Sequence, residues 1–327
     1  LTPDLSSSVG TVRLPNPVMT AAGTSGHGAE LAAYFDLGRI GAVVVKSLSV
    51  GPWDGNAAPR VRAVPGGMLN SVGLQGPGVD TWLETFLPGL EKAGARVVAS
   101  IWGRSVEDYE AAALALAKAP PTVIAVEVNM SCPNLHDGQR MFAQSAAATE
   151  AAVAATAGCG RPRWAKLSPN VLDLQEIASA ALDAGAEAVT LVNTMPGMAI
   201  DLHTRRPALG GGGGGLSGAA LHAVAVRAVF ETRSALPGAA IVGVGGVASG
   251  ADAIELLLAG ADAVEVGTAT LADPRAPLRV LDGIERWCQR EGVRAVRDLV
   301  GAAQSSGSAP ATRAASRQAH TAGTRQS

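Results

Sequence analysis

Cysteine is scarce: the 327 residues hold three, Cys132, Cys159 and Cys288, and no two of them stand at metal-ligand spacing. That excludes a disulfide framework and a zinc site, and three thiolates are too few for an iron–sulfur cluster. An excess of one charge sign is also missing, since 26 Lys and Arg face 28 Asp and Glu for a formal net charge of -2. With no basic stripe interleaved with aromatic residues, nothing favours nucleic acid. No apolar run reaches the roughly 18 residues that span a bilayer, and the opening residues 1–10 are too polar for a secretory leader. The expectation is a soluble, cytoplasmic protein whose 47% hydrophobic content buries a substantial core.

What the chain does have is alternation. Short β-rich runs at 18–21, 42–46, 96–101, 123–129, 163–167, 188–192, 240–243 and 263–267 are separated by alanine- and leucine-rich helical patterns, such as 106–117 and 172–184. About eight such units predict an α/β fold, a single (β/α)8 TIM barrel with its active site in the loops after the strands. Residues 183–189 and 258–264 repeat one signature, a helix closed by glycine and a tight turn into a buried strand. An open doubly wound sheet also alternates strands and helices and is the competing architecture. The expected barrel domain covers 1–301; residues 302–327, almost without large apolar side chains, are expected to be a disordered tail.

Chemistry-bearing residues gather at the predicted strand ends. The 123–129 run stops at Cys132-Pro133 and leaves Asn129, Ser131, Cys132 and Asn134 at its carboxyl end, with the cysteine as the acid/base candidate. Cys159 and Cys288 suit small buried hydrophobes instead. Gly245 and Gly246 after the seventh run, Gly267-Thr268 after the eighth and Gly215-Leu216-Ser217-Gly218 before a helix offer backbone N–H groups to an anion, as at phosphate sites. The run 210–215 has no side chains to pack and predicts a mobile loop.

Taken in order, the blocks Asn16-Pro17-Val18-Met19, Lys46-Ser47, Gly67-Met68-Leu69-Asn70-Ser71-Val72-Gly73-Leu74, Asn129-Met130-Ser131-Cys132-Pro133-Asn134, Lys166-Leu167-Ser168-Pro169-Asn170 and Asn193-Thr194, with the glycine sites, closely resemble the dihydroorotate dehydrogenase family over 14–284. The likeness is to its soluble class 1 branch, a flavin-mononucleotide barrel, and residues 195–201 look most like the NAD-linked type B catalytic chain. The resemblance implies oxidation of (S)-dihydroorotate to orotate in pyrimidine biosynthesis, with Cys132 removing the C5 proton while the C6 hydrogen leaves as hydride to flavin N5. Lys46 is implied in catalysis and in binding both substrate and flavin. Asn70, Gly73, Leu74, Asn129, Asn134, Asn193 and Thr194 are the implied substrate contacts. Ala22, Gly23, Lys46, Ser47, Asn129, Lys166, Val192, Gly218, Gly245, Gly246, Gly267 and Thr268 are the implied FMN contacts.

The implied roles are physically sensible. Lys166, ending a strand, suits the stabilisation of negative charge on reduced flavin, and asparagines donate and accept to an amide-rich carboxylate without adding charge. The type B likeness further implies a homodimeric core and an electron-transfer partner carrying FAD and a 2Fe–2S cluster, because the chain holds no complete nicotinamide-binding unit. Departures from the family pattern fall at 139–142 in the implied lid, at Trp102 and at the polyglycine run, and they are expected to reshape the rim of the flavin pocket. Two other readings remain at this stage: a related FMN barrel acting on another dihydropyrimidine such as dihydrouracil, which Asn134 disfavours, and a catalytically silent phosphate-binding barrel.

Overall fold

Eight parallel strands form the centre of the computed structural model, which describes residues 2–131 and 141–304. They are β1 (Val18–Thr20), β2 (Val43–Val44), β3 (Val97–Ile101), β4 (Val123–Asn129), β5 (Arg163–Leu167), β6 (Ala188–Leu191), β7 (Ala240–Val244) and β8 (Ala263–Val266). Each lies within a residue or two of its expected run. The spatial order is β1-β8-β7-β6-β5-β4-β3-β2, and a parallel bridge between Met19 and Ala42 brings the two ends together. The expected TIM barrel is therefore present, and the open-sheet alternative is not. Glycine closes the helices as the repeated signature requires: Gly260 caps the helix Gly250–Ala259 at φ +128°, and Gly185 stands at φ +92° just beyond the helix Leu174–Asp183.

Residues two apart on a strand share a face, and that rule sorts the interior. Val126 and Val128 of β4, Ala165 and Leu167 of β5, and Val264 and Val266 of β8 face outward into the core shared with the helices. Met19, Ala42, Val44, Val98, Ala125, Trp164, Ala188, Val242 and Ala263 instead fill the lower barrel interior, where Val9, Val12 and Leu14 of the amino-terminal hairpin pack against them. One step toward the carboxyl ends, the inward positions change character. Ser100, Glu127, Lys166, Thr190 and Glu265 form a buried polar layer above that apolar plug.

A four-stranded antiparallel sheet crosses the carboxyl ends of the barrel, ordered Met195–Gly197, Gly214–Ser217, Gly67–Asn70, Val61–Val64. Its second strand corrects the sequence expectation for 210–215. Gly214 and Gly215 of the polyglycine run enter the sheet while 210–213 remain turn, and the run passes close to other backbones: a Cβ on Gly214 would sit 2.4 Å from the Asn70 carbonyl oxygen, and one on Gly210 would sit 2.1 Å from that of Ala57. At the other end of the described chain, Ala302–Gln304 forms a short 3₁₀ turn tied down by Gln304, whose Nε2 donates to the carbonyls of Phe230 and Ala259 at 2.9 Å.

Candidate active site

A cavity of about 440 Å³ opens between the barrel mouth and the small sheet. That volume is in the range of ordinary cofactor and substrate pockets. Lys46, Asn70, Gly73, Leu74, Asn129, Asn193 and Thr194 line it. So do Ala22, Gly23, Ser47, Lys166 and Val192, and at one end Gly218, Gly245, Gly246, Gly267 and Thr268. Residues spread over some 250 positions of sequence therefore share one wall-to-wall space, because most follow parallel strands whose carboxyl ends point the same way, while Asn70, Gly73, Leu74 and Gly218 lie in or just after strands of the antiparallel sheet that crosses those ends.

The glycine end is shaped for close backbone approach. Gly246 has φ +69°, and a Cβ there would fall 2.6 Å from the His222 Cβ and 3.0 Å from the Gly218 carbonyl oxygen. Only glycine meets both conditions without displacing the turn. His222 opens the helix His222–Ala235 and its Nδ1 lies 2.8 Å from the Gly245 carbonyl, so helix and turn are locked together. Ser217 and Thr268 meet through their hydroxyls at 2.8 Å beside the same turn.

The amide end is organised by hydrogen bonds. Asn193 Nδ2 donates to Asn129 Oδ1 at 3.1 Å, which also accepts from the Ser131 N–H at 3.2 Å. Asn193 Oδ1 in turn accepts from the Thr194 N–H at 2.7 Å, and Asn70 Nδ2 donates to the Gly215 carbonyl at 3.3 Å. Below them, Lys166 Nζ sits 2.8 Å from Glu265 Oε2 and 3.6 Å from Glu127 Oε2. All three are buried. Burial and then the neighbouring Glu127 charge push the Glu265 carboxyl well above the ordinary carboxylate range, against the opposing pull of Lys166. Outside the cavity lining, burial first and the Lys46 charge second hold His27 below its usual value, so it adds no positive charge beside Lys46 at neutral pH.

Residues 4–287 match the family model described as dihydroorotate dehydrogenase. The chain belongs to the dihydroorotate dehydrogenase family. It is 44% identical over 301 residues to a protein of Geotalea uraniireducens named dihydroorotate dehydrogenase B (NAD(+)), catalytic subunit, a match covering 92% of this chain and 98% of that one. A protein of the same name from Alkaliphilus oremlandii is 43% identical over 89% of this chain and 95% of its own length. Among solved structures, the dihydroorotate dehydrogenase of Eimeria tenella, crystallised with ferulenol, superposes with a TM-score of 0.74 at 23% identity over 92% of this chain and 89% of that one; this likeness concerns the fold.

Against this family background, some expected positions fall elsewhere. Cys132 and Asn134 lie outside the described residues, as does the lid as far as Arg140. The chain is described again from Met141, and Phe142 is fully buried, edge-on to Tyr109 with ring centroids 5.2 Å apart. Trp102 is not among the residues that line the cavity. It is buried and meets Trp53 edge-on at 5.8 Å, which Arg104 covers from 5.0 Å. Cys159 and Cys288 are buried free thiols held above the ordinary thiol range by burial, consistent with structural roles.

The structure adds residues that the expected site lacked. Met68, Ser71 and Leu221 line the cavity, and so do Ser131 and Ser217, which the strand-end and glycine motifs already place beside the site. Glu127, Glu265 and Ser100 support it from below. A sequence signal existed for the two carboxylates, because Ala125-Val126-Glu127-Val128 and Ala263-Val264-Glu265-Val266 place the same charged residue in the same apolar frame just before a site residue. On period-2 strands each glutamate shares the inward face with its partner two positions on.

Proposed function

We propose that this chain oxidises (S)-dihydroorotate to orotate with FMN, as the catalytic subunit of an NAD-linked dihydroorotate dehydrogenase serving pyrimidine biosynthesis. The observation that carries the reading is a single cavity lined by the lysine, asparagine and glycine set, in a chain 44% identical over 92% of its length to curated type B catalytic subunits. Two features of the cavity suit a phosphorylated flavin. Its glycine end offers a turn that a Cβ would obstruct, and the buried Ser131 Oγ lines it without a hydrogen-bond partner among the described residues.

When bound, FMN supplies the two-electron acceptor for the hydride that leaves C6. The protein does the rest. Cys132, as thiolate, takes the C5 proton, and the positive charge of Lys46 favours that thiolate. Asn70, Asn129 and Asn193 orient the planar substrate through paired donors and acceptors, with Asn134, Thr194, Gly73 and Leu74 completing its surround. Lys166 faces the flavin and opposes the negative charge that arrives with reduction. Gly218, Gly245, Gly246, Gly267 and Thr268 hold the phosphate through backbone donors, while Ala22, Gly23, Ser47 and Val192 close around the ring system. The assembly proposed is a homodimeric core with an electron-transfer subunit carrying FAD and a 2Fe–2S cluster. Among the described residues no helix is long and apolar enough to cross a membrane.

The purified chain is expected to be yellow, with absorbance at about 450 nm, the usual region for an oxidised flavin cofactor. Under anaerobic conditions dihydroorotate should bleach it, and NAD alone should leave it bleached. Dihydrouracil bleaching without dihydroorotate bleaching would reassign the substrate, and rapid recolouring by NAD would remove the need for a partner subunit.

Gly246→Ala tests the phosphate end. The added methyl displaces the turn at His222 and Gly218, and the FMN dissociation constant is expected to rise at least about tenfold, the equivalent of roughly 1.4 kcal/mol. Fluorescence titration of the apoprotein measures it; unchanged affinity would move the phosphate to another part of the cavity.

A further inference from the structure

The buried polar layer and the asparagines of the cavity are joined by one continuous hydrogen-bond chain. Ser100 Oγ donates to Glu127 Oε1 at 3.1 Å, Ser100 and Ser47 meet through their hydroxyls at 2.9 Å, and Asn129 Nδ2 donates to Ser47 Oγ at 3.2 Å. Asn129 Oδ1 then receives Asn193 Nδ2 at 3.1 Å. The chain has a definite sense. A carboxylate only accepts, so Ser100 gives its one proton to Glu127 and takes that of Ser47, and Ser47 is left as the acceptor for the Asn129 amide. Four of these groups, Ser47, Ser100, Glu127 and Asn129, are under a tenth exposed, so no bulk water is at hand to repair a mismatch.

We propose that Glu127 and Ser100 are positioning residues, which fix the orientation and reach of Asn129 and Asn193 toward the substrate without touching it. The inference rests on the function proposed above and adds two residues to it. Lys166 is what makes the sense of the chain hard to reverse. Its ammonium lies 3.6 Å from Glu127 Oε2, on the other side of that carboxyl from Ser100. If Glu127 becomes glutamine, the new amide turns its oxygen toward the ammonium and its NH₂ toward Ser100. Ser100 must then point its proton at Ser47, which faces donors from both Ser100 and Asn129. The substrate-side amides lose their alignment while the pocket keeps its shape.

The experiment compares wild type, Ser100→Ala, Ser100→Thr and Glu127→Gln, each loaded with FMN. Orotate binding is read from the perturbation of the flavin spectrum, alongside KM and kcat for dihydroorotate. Ser100→Ala and Glu127→Gln are expected to retain FMN with affinity within about twofold of wild type, since Ser47 and Asn129 are only two of its many proposed contacts, to bind orotate about 5- to 10-fold more weakly, the usual effect of losing one net hydrogen bond, and to raise KM more than they lower kcat. Ser100→Thr, which keeps the hydroxyl, should restore orotate binding to within about twofold of wild type. Unchanged orotate affinity in Ser100→Ala overturns the proposal, and so does joint loss of FMN and orotate binding in a folded Ser100→Ala protein, which would make the hydroxyl a general packing element. Should Ser100→Ala fail to fold, Glu127→Gln decides by the same two criteria. A wild-type protein that holds FMN but never oxidises dihydroorotate overturns the functional reading, and this inference with it.

Discussion

Lys166→Met is expected to destabilise the protein by about 3–5 kcal/mol at neutral pH, the usual cost of removing one partner from a buried ion cluster. The lysine is the cation between Glu127 and Glu265, at 3.6 and 2.8 Å, deep in the barrel. Burial by itself would lower its pKa, but Glu127 and then Glu265 outweigh that and leave it above the ordinary lysine value of 10.5. Its stabilising contribution is therefore complete below pH 10.5 and drains only as pH climbs through the raised value. Glu265 is also raised, so its contribution is complete below 4.5 and is lost as pH rises toward its folded value. Removing the ammonium raises that carboxyl further and widens the window of loss. The deficit of Lys166→Met should accordingly be smaller at about pH 5 than at about pH 8, where the unfolded chain sheds protons that the folded variant must keep. Urea denaturation at the two pH values measures the difference; equal deficits would mean that Lys166 contributes packing and not charge. A methionine of similar length keeps the volume and isolates the charge.

How far the sequence carries depends on what each residue answers to. The barrel strands were legible because burial on both faces demands runs such as Val123–Asn129 and Arg163–Leu167, and glycines at 185 and 260 punctuate the helices before them. The site followed from the architecture, since residues at the carboxyl ends of parallel strands converge whatever their separation in the chain. The crossing sheet was not legible. Its strands have three or four residues each, come from loops some 130 positions apart, and owe one strand to glycines such as Gly214, whose reason is the proximity of Asn70, which only the assembled fold reveals. Glu127 and Glu265 escaped notice for a related reason. A lone glutamate in an apolar strand suggests a solvent-facing position, and only closure of the barrel turns that face into an interior.

That interior links the two halves of the proposed chemistry. Lys166, on the proposed flavin side, lies 3.6 Å from Glu127; Glu127 accepts from Ser100; and the chain from Ser100 ends on the asparagines proposed to meet the substrate. An apolar layer at these positions would pack as well, but it would leave the Asn129 amide anchored only by its neighbours at the barrel mouth. The polar layer costs desolvation and returns orientation, a trade expected where reacting groups must be held to within a fraction of an ångström.

Cys132→Ala should retain FMN and lose about 10² to 10⁴-fold of the flavin-reduction rate, the span usually assigned to a general base. The cysteine directly follows Ser131, a cavity-lining residue, in the sequence. The FMN contacts proposed lie on other strand ends, so the flavin should remain bound in the variant. A thiol with an ordinary pKa of about 8.5 is mostly protonated at neutral pH. The wild-type rate should accordingly rise with pH until the thiolate is complete, and the alanine variant should lose that rise along with the rate. Cys132→Ser should keep part of the activity, since a hydroxyl occupies the same place but ionises far less readily. Anaerobic stopped-flow reduction by dihydroorotate across pH 6 to 10, a range that brackets the ordinary thiol value, separates these outcomes. Wild-type rates in Cys132→Ala would hand the proton to another group, and a pH profile shared by both proteins would show that the titrating group is not this thiol.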